Sequence, residues 1–181
     1  MERVVTETIG SAEIAEDELR QLVRMWFGQA DEAGDTPDRR RIDPFAVPAL
    51  ASSLALFDVG PQGRLTYRVM GENIRKVIRT NPIGRSPREV LGEGPYSAFI
   101  ENQLLDCVDR RLPIYSKHDF VVVEEKTVRR SVRIVMPYAS DGRVSRLLGF
   151  QMFSEDLELR SDSELRIDDW RVERLAFVDR P

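Results

Sequence analysis

The sequence predicts an α+β domain on one antiparallel sheet, and three observations predict it. Five stretches of β-branched or alternating character are separated by short turns. Helical spacing falls in the N-terminal region and in a block between the second and third of those stretches. The chain's 181 residues are enough for one core that folds without staples.

The elements follow in order. Residues 11–27 read as a helix with Ser11 as N-cap and Gly28 as its C-terminal stop. Leu19, Leu22, Val23, Trp26 and Phe27 share one face, which must be buried, either on the chain's own domain or as a dimer or partner seam. Residues 28–41 are a polar connector, and two prolines keep Ile42 to Leu50 irregular. Leu54–Val59 and the run through Leu65, Tyr67 and Val69 read as two strands around the Pro61-Gln62-Gly63 turn. Gly71–Thr80 has helical spacing at Ile74, Val77 and Ile78, stopped by Asn81-Pro82-Ile83-Gly84. Pro87–Leu91 suggests one more turn of helix. Residues 96–111 form the strongest internal helix, with Tyr96, Phe99, Ile100, Leu104, Cys107 and Val108 on one stripe.

The rest of the core is β. Ile114–Val123 is β-branched, Glu124-Glu125-Lys126 is a polar tip, and Val128–Tyr138 sets Val132, Ile134 and Met136 against Arg129, Ser131 and Arg133. Asp141-Gly142 is a hairpin turn before the strand Arg146–Phe153. Residues 154–181 are an acidic C-terminal extension that either forms a helix or adds a strand. The expected division is 1–41, 42–153 and 154–181.

Charge and composition narrow the function. The net charge is −4, all of it in the 154–181 segment, so the body is neutral. A neutral body does not fit nonspecific nucleic-acid binding, which needs surplus positive charge. No apolar run approaches the roughly 18 residues of a membrane span, and the acidic N-terminus lacks the apolar stretch of a signal peptide. The expectation is a cytoplasmic protein with no membrane or nucleic-acid partner.

Four motifs resemble a known family. They are Asp43-Pro44 with Val47-Pro48, Phe57-Asp58-Val59, Tyr67-Arg68-Val69-Met70-Gly71, and Gly84-Arg85. In this order and spacing, over about residues 20–153, the chain resembles the small stand-alone PAS-like proteins of alphaproteobacteria. The resemblance implies a PAS fold: a five-stranded antiparallel sheet with helices on one face, here with an N-terminal amphipathic helix and a C-terminal extension. It implies a sensory module but no particular ligand, because one fold hosts many functions.

Chemistry is read residue by residue. His118 and Cys107 are the only histidine and the only cysteine. They cannot make a zinc site alone, and no nucleophile motif stands beside His118. No phosphate-binding glycine motif occurs. Among PAS types, haem binding through the long helix has no histidine there, and the flavin-attacking cysteine motif is absent. The expectation is therefore no cofactor, no metal and no enzymatic activity. Cys107 reads as a small core residue. Met70, Ile74, Ile78, Leu91, Phe99, His118, Met136, Phe150, Gln151 and Met152 are candidates to line a pocket between sheet and helices, or to fill it as core. Gln151, polar within an apolar strand, could read a ligand edge. The reading is a regulatory module that acts by forming a homodimer or meeting an unidentified signalling protein, with room for a small-molecule ligand to modulate it; the alternatives are a small-molecule receptor with an apolar pocket and, last, an enzyme with an unrecognised site.

Overall fold

A computed structural model describes residues 7–122, 127–153, 157–158 and 170–180. The tip at Glu124–Lys126 and most of 154–169 lie outside the described residues.

The N-terminal region forms a short strand, β1 (Glu7–Gly10), then the helix α1 (Asp17–Ala33). Asp17 and Glu18 in its first turn suit the helix dipole. The helix ends at Gly34, at φ +70°, and not at Gly28. Ala30 is buried, so continuing past Gly28 extends the apolar stripe by one more turn. Strands β2 (Leu54–Val59) and β3 (Leu65–Met70) pair antiparallel. The helices α2 (Glu72–Ile78), α3 (Pro87–Leu91) and α4 (Pro95–Arg110) follow. Ser86 caps α3 by accepting from the Glu89 backbone, with Glu89 reaching back to the Ser86 N–H. Then come β4 (Ile114–Val122), β5 (Thr127–Ser140) and β6 (Arg143–Phe153). Asp141 and Gly142 both take positive φ, which a two-residue hairpin of this hand requires.

The element order is two strands, short helices, one longer helix and three strands, so the chain has a PAS-like α+β fold. The sheet is wider than the five strands expected. Its order is β1-β8-β4-β5-β6-β2-β3, with β8 spanning Trp170–Asp179 and the two-residue β7 (Leu157–Glu158) on β5. The C-terminal extension thus resolves, over 170–179, as an added strand. β8 pairs antiparallel with β4, and β1 pairs parallel with β8. Ala176, Phe177 and Val178 are buried, so β8 belongs to the core.

Helices cover both faces, because alternate residues of each central strand are apolar on both sides. On one face α1 lies over Tyr115, Val132, Ile134, Met136, Tyr138, Leu148 and Phe150. On the other, α2 and α4 lie over Ala55, Phe57, Tyr67, Ile114, Val135, Leu147 and Phe177. The α1 stripe of Leu19, Leu22, Val23, Trp26 and Phe27 is buried against its own sheet. The reading of these residues as a dimer or partner seam is corrected: the sheet face opposite α4 is apolar and takes them. Trp26 also donates its indole N–H to the Pro137 carbonyl at 2.8 Å, and its ring stands edge-on to Phe27.

Candidate functional site

The sheet face under α4 is apolar at one end and polar at the other. Register places Ser116, Arg133 and Gln151 side by side across β4, β5 and β6. One ladder step on stand His118, Ser131 and Phe153, and the next step brings Trp170 beside Phe120. Each of these side chains points toward α4, because Ile114, Val135 and Leu147 on the same alternation pack there. The roof is the stripe of α4 that carries Tyr96, Phe99 and Gln103.

Aromatic rings pack against one another along one side of this region between the sheet and α4, the chamber. Tyr96 lies 5.9 Å from His118, 5.9 Å from Phe120 and 5.8 Å from Trp170, centroid to centroid. Phe99 approaches Trp170 at 5.7 Å and meets His118 edge-on at 5.9 Å. Phe153 closes the far side against Phe120 at 6.0 Å. These are the offset and edge geometries that aromatic pairs prefer.

The polar set inside is only partly satisfied. Gln151 donates to the Ser131 hydroxyl at 2.8 Å. The Tyr96 hydroxyl lies 3.1 Å from His118 Nε2. Arg133 donates one terminal nitrogen to Gln103 Oε1. Four buried polar atoms find no partner among the described residues: Gln103 Nε2, Ser116 Oγ, His118 Nδ1 and Arg133 Nε. An unpaired buried polar group typically costs about 1–3 kcal/mol, so four in one place demand an account. Arg133 is 7% exposed, and no ion pair to it is found among the described residues. A lone buried charge costs several kcal/mol of solvation.

Burial governs the ionisation here. Burial lowers the Arg133 guanidinium from its usual value, and the Tyr96, Tyr67 and Cys107 groups nearby act the other way. It remains charged, since arginine does not deprotonate in proteins. His118 is fully buried, and burial followed by the Arg133 charge brings its pKa down to about 3, so it is neutral near pH 7. Burial pushes the Tyr67 phenol up to about 12 and raises the Tyr96 phenol further. With Tyr96 donating to Nε2, the neutral ring of His118 carries its proton on Nδ1. The orphaned atoms are then donors, with the Ser116 hydroxyl able to donate as well.

A surface cleft of about 880 Å³ opens beside the chamber. It runs between the start of α1, the 48–53 segment and α2, and Glu18, Ser53, Asn73 and Lys76 line it with Arg129 and Phe153. Phe153 is shared by the cleft and the aromatic wall. Its volume is in the range of small-molecule sites.

The pocket residues expected from sequence divide between the faces. Met70, Ile74, Phe99 and His118 lie on the α4 side of the sheet, with Ile78 and Leu91 partly buried against the same core, and Gln151 points the same way. Met136, Phe150 and Met152 do not belong to this set. They pack on the α1 side, because β5 and β6 send alternate residues to opposite faces. Cys107 is a buried core thiol whose Sγ donates to the Leu112 carbonyl at 3.3 Å, and burial raises its pKa. Gln103, Ser116, Ser131, Arg133 and Trp170 were not anticipated. The alternation of Val132, Ile134 and Met136 with Arg129, Ser131 and Arg133 reads as an inner and an outer face, whereas both faces are covered. Among the described residues no three His, Cys, Asp or Glu lie together as metal ligands. No helix of the described residues is long and apolar enough to cross a membrane.

No family model matches the chain, and no curated protein matches it. Solved structures do. The LOV domain of the blue-light photoreceptor Aureochrome1, in its dark structure, is 10% identical with a TM-score of 0.45, over 61% of this chain and 81% of that chain. The light-state dimer of the fungal blue-light photoreceptor Vivid is 15% identical with a TM-score of 0.45, over 70% of this chain and 92% of that one. A variant of RsLOV is 14% identical with a TM-score of 0.43, over 83% of this chain and 73% of that one. The PAS-like assignment rests on element order and sheet topology, independently of these likenesses.

Proposed function

We propose that the chain is a regulatory, non-catalytic module that takes a small molecule between its sheet and α4 and answers through a protein partner or through its own dimerisation. The observation that carries this reading is the group of four orphaned polar atoms under α4, beside the aromatic rings. Buried polar atoms are usually bonded, so a group of four in one place calls for a partner. A ligand completes it.

A route outward supports the regulatory half. β4 carries Ser116 and His118 on the chamber face and Tyr115 on the α1 face. The Tyr115 hydroxyl donates to Glu16, the residue just before α1, at 2.9 Å. β4 also holds β8, which in turn holds β1. A ligand that moves β4 therefore moves both terminal elements. The buried Trp26 stripe is not the output surface; the exposed side of α1 and the outer strand β1 are the surfaces next to this route.

The test is native mass spectrometry of freshly purified protein, with denatured protein as the reference. The reading expects an added small-molecule mass that is lost on denaturation and lost in Ser116→Leu. It also expects slower hydrogen exchange at the start of α1 in loaded than in emptied protein. A single bare mass with identical exchange in wild type and Ser116→Leu would show the chamber to be plain core.

A further inference from the structure

We infer that the chamber is built for an anion: a small organic carboxylate whose charged head binds Arg133, Gln103 and Ser116 and whose apolar body lies against Tyr96, Phe99 and Trp170. The inference rests on the ligand reading above and names its chemistry.

The first argument is charge. Arg133 stands on the central strand β5, nine-tenths buried, with a guanidinium Nε that no group satisfies. Among the described residues its register partners are Ser116 and Gln151, and its bonded neighbour is the neutral Gln103. Burying an unpaired charge is strongly unfavourable, and the condition is relieved when an opposite charge arrives. A neutral ligand leaves it unrelieved.

The second argument is donor count. Gln103 Oε1 is already used by Arg133, which fixes the amide so that Nε2 is the free end. Gln103 Nε2, Arg133 Nε and the Ser116 hydroxyl are then all able to donate, and none is matched by a carbonyl or carboxylate. A carboxylate accepts about four hydrogen bonds through two oxygens, and the planar guanidinium fork matches it. The third argument is the wall. Stacked rings one ladder step from the polar row favour a ligand with a flat or apolar body. Phe153 of that wall also lines the open cleft, the side from which a ligand would enter.

Calorimetric titration and thermal shift decide the matter, with acetate, hexanoate and phenylacetate as anionic probes and phenylacetamide as the neutral match of the last. In wild type, phenylacetate should bind at least tenfold more tightly than phenylacetamide and more tightly than acetate. Arg133→Met should lose at least tenfold in phenylacetate affinity while phenylacetamide changes less than threefold. Its melting temperature without ligand should equal or exceed wild type, because an unpaired buried charge has gone. Ser116→Ala, a milder change, should weaken phenylacetate by about three- to tenfold with unchanged melting. The inference is overturned if no carboxylate binds wild type, if phenylacetate and phenylacetamide bind alike, or if Arg133→Met binds phenylacetate as wild type does. A neutral molecule found by native mass spectrometry, retained in Arg133→Met, would overturn the anion and keep the regulatory reading. No bound molecule of any kind would end both.

Discussion

At the scale of single residues, His118 makes a prediction that its surroundings isolate cleanly. It is the only histidine, so it is the one ordinary side chain titrating between pH 5 and 6.5. Its folded pKa is about 3, and its unfolded value is near 6.5. Between those values the unfolded chain binds a proton that the folded chain does not. Stability therefore rises with pH across that window, and is lost as pH falls below 6.5. The slope approaches about 1.4 kcal/mol per pH unit once the unfolded histidine is fully protonated. Arg133 and Asp119 act on the ring with opposite signs, and the Tyr96 hydroxyl bonds it. Urea unfolding at pH 7.0, 6.0 and 5.0 should show this loss in wild type and a flat profile in His118→Gln. A flat wild-type profile would mean that the ring meets water in the folded state. The same residue shows what a sequence can and cannot tell. That His118 lies on a strand, at a position that can line a pocket, is legible from its neighbours. That it is fully buried beside an arginine is not, because β4 mixes polar and apolar residues on both of its faces: Ser116 and His118 on one, Lys117 and Asp119 on the other.

At the scale of elements, most of the order was legible and the assignment of faces was not. Turn chemistry marked the β5–β6 hairpin, and proline and glycine marked both ends of the α2–α4 block. The sequence places the end of α1 too early because glycine in a helix is tolerated at about 1 kcal/mol, and the helix runs on past it to bury Ala30. Strand alternation gives two faces but never says which one is wet. Here α1 claims the face of Val132 and Ile134, so the face of Ser131 and Arg133 falls to α4. This is why Met136, Phe150 and Met152 left the expected pocket and Gln103 and Ser116 entered it. The covered face makes its own prediction. Trp26→Ala removes a buried ring, its edge-on contact with Phe27 and the bond to Pro137. Core Trp truncations cost about 3–5 kcal/mol. Chemical denaturation should register that loss, with the oligomeric mass at native conditions unchanged. A change of mass without a loss of stability would return the stripe to an interface role.

At the scale of the whole molecule, the two terminal regions close the structure by different means. α1 caps a sheet face, while β8 and β1 extend the sheet edge beyond β4. Ion pairs join them: Arg174 on β8 reaches both Glu7 and Glu13, and Arg180 reaches Asp31 of α1. These pairs are surface-exposed and contribute little each. The apolar contribution is larger. Phe177 and Val178 are buried on opposite faces of the sheet, so β8 serves the α4 core and the α1 core together. Full burial of one such side chain is worth about 1.5–3 kcal/mol, so the pair represents about 3–6 kcal/mol against a typical total of about 5–15. Removing β8 also bares the edge of β4 along the length that carries Ser116 and His118, and an unpaired edge invites association. A chain ended after residue 169 should therefore unfold at markedly lower urea concentration or associate, and any folded fraction should lose carboxylate binding, because Trp170 leaves the chamber wall with the strand. Size exclusion with light scattering, far-ultraviolet circular dichroism and phenylacetate titration would read the three effects separately. A monomeric truncated chain with wild-type stability would make β8 a dispensable addition, and the coupling of chamber to termini through β4 would fall with it.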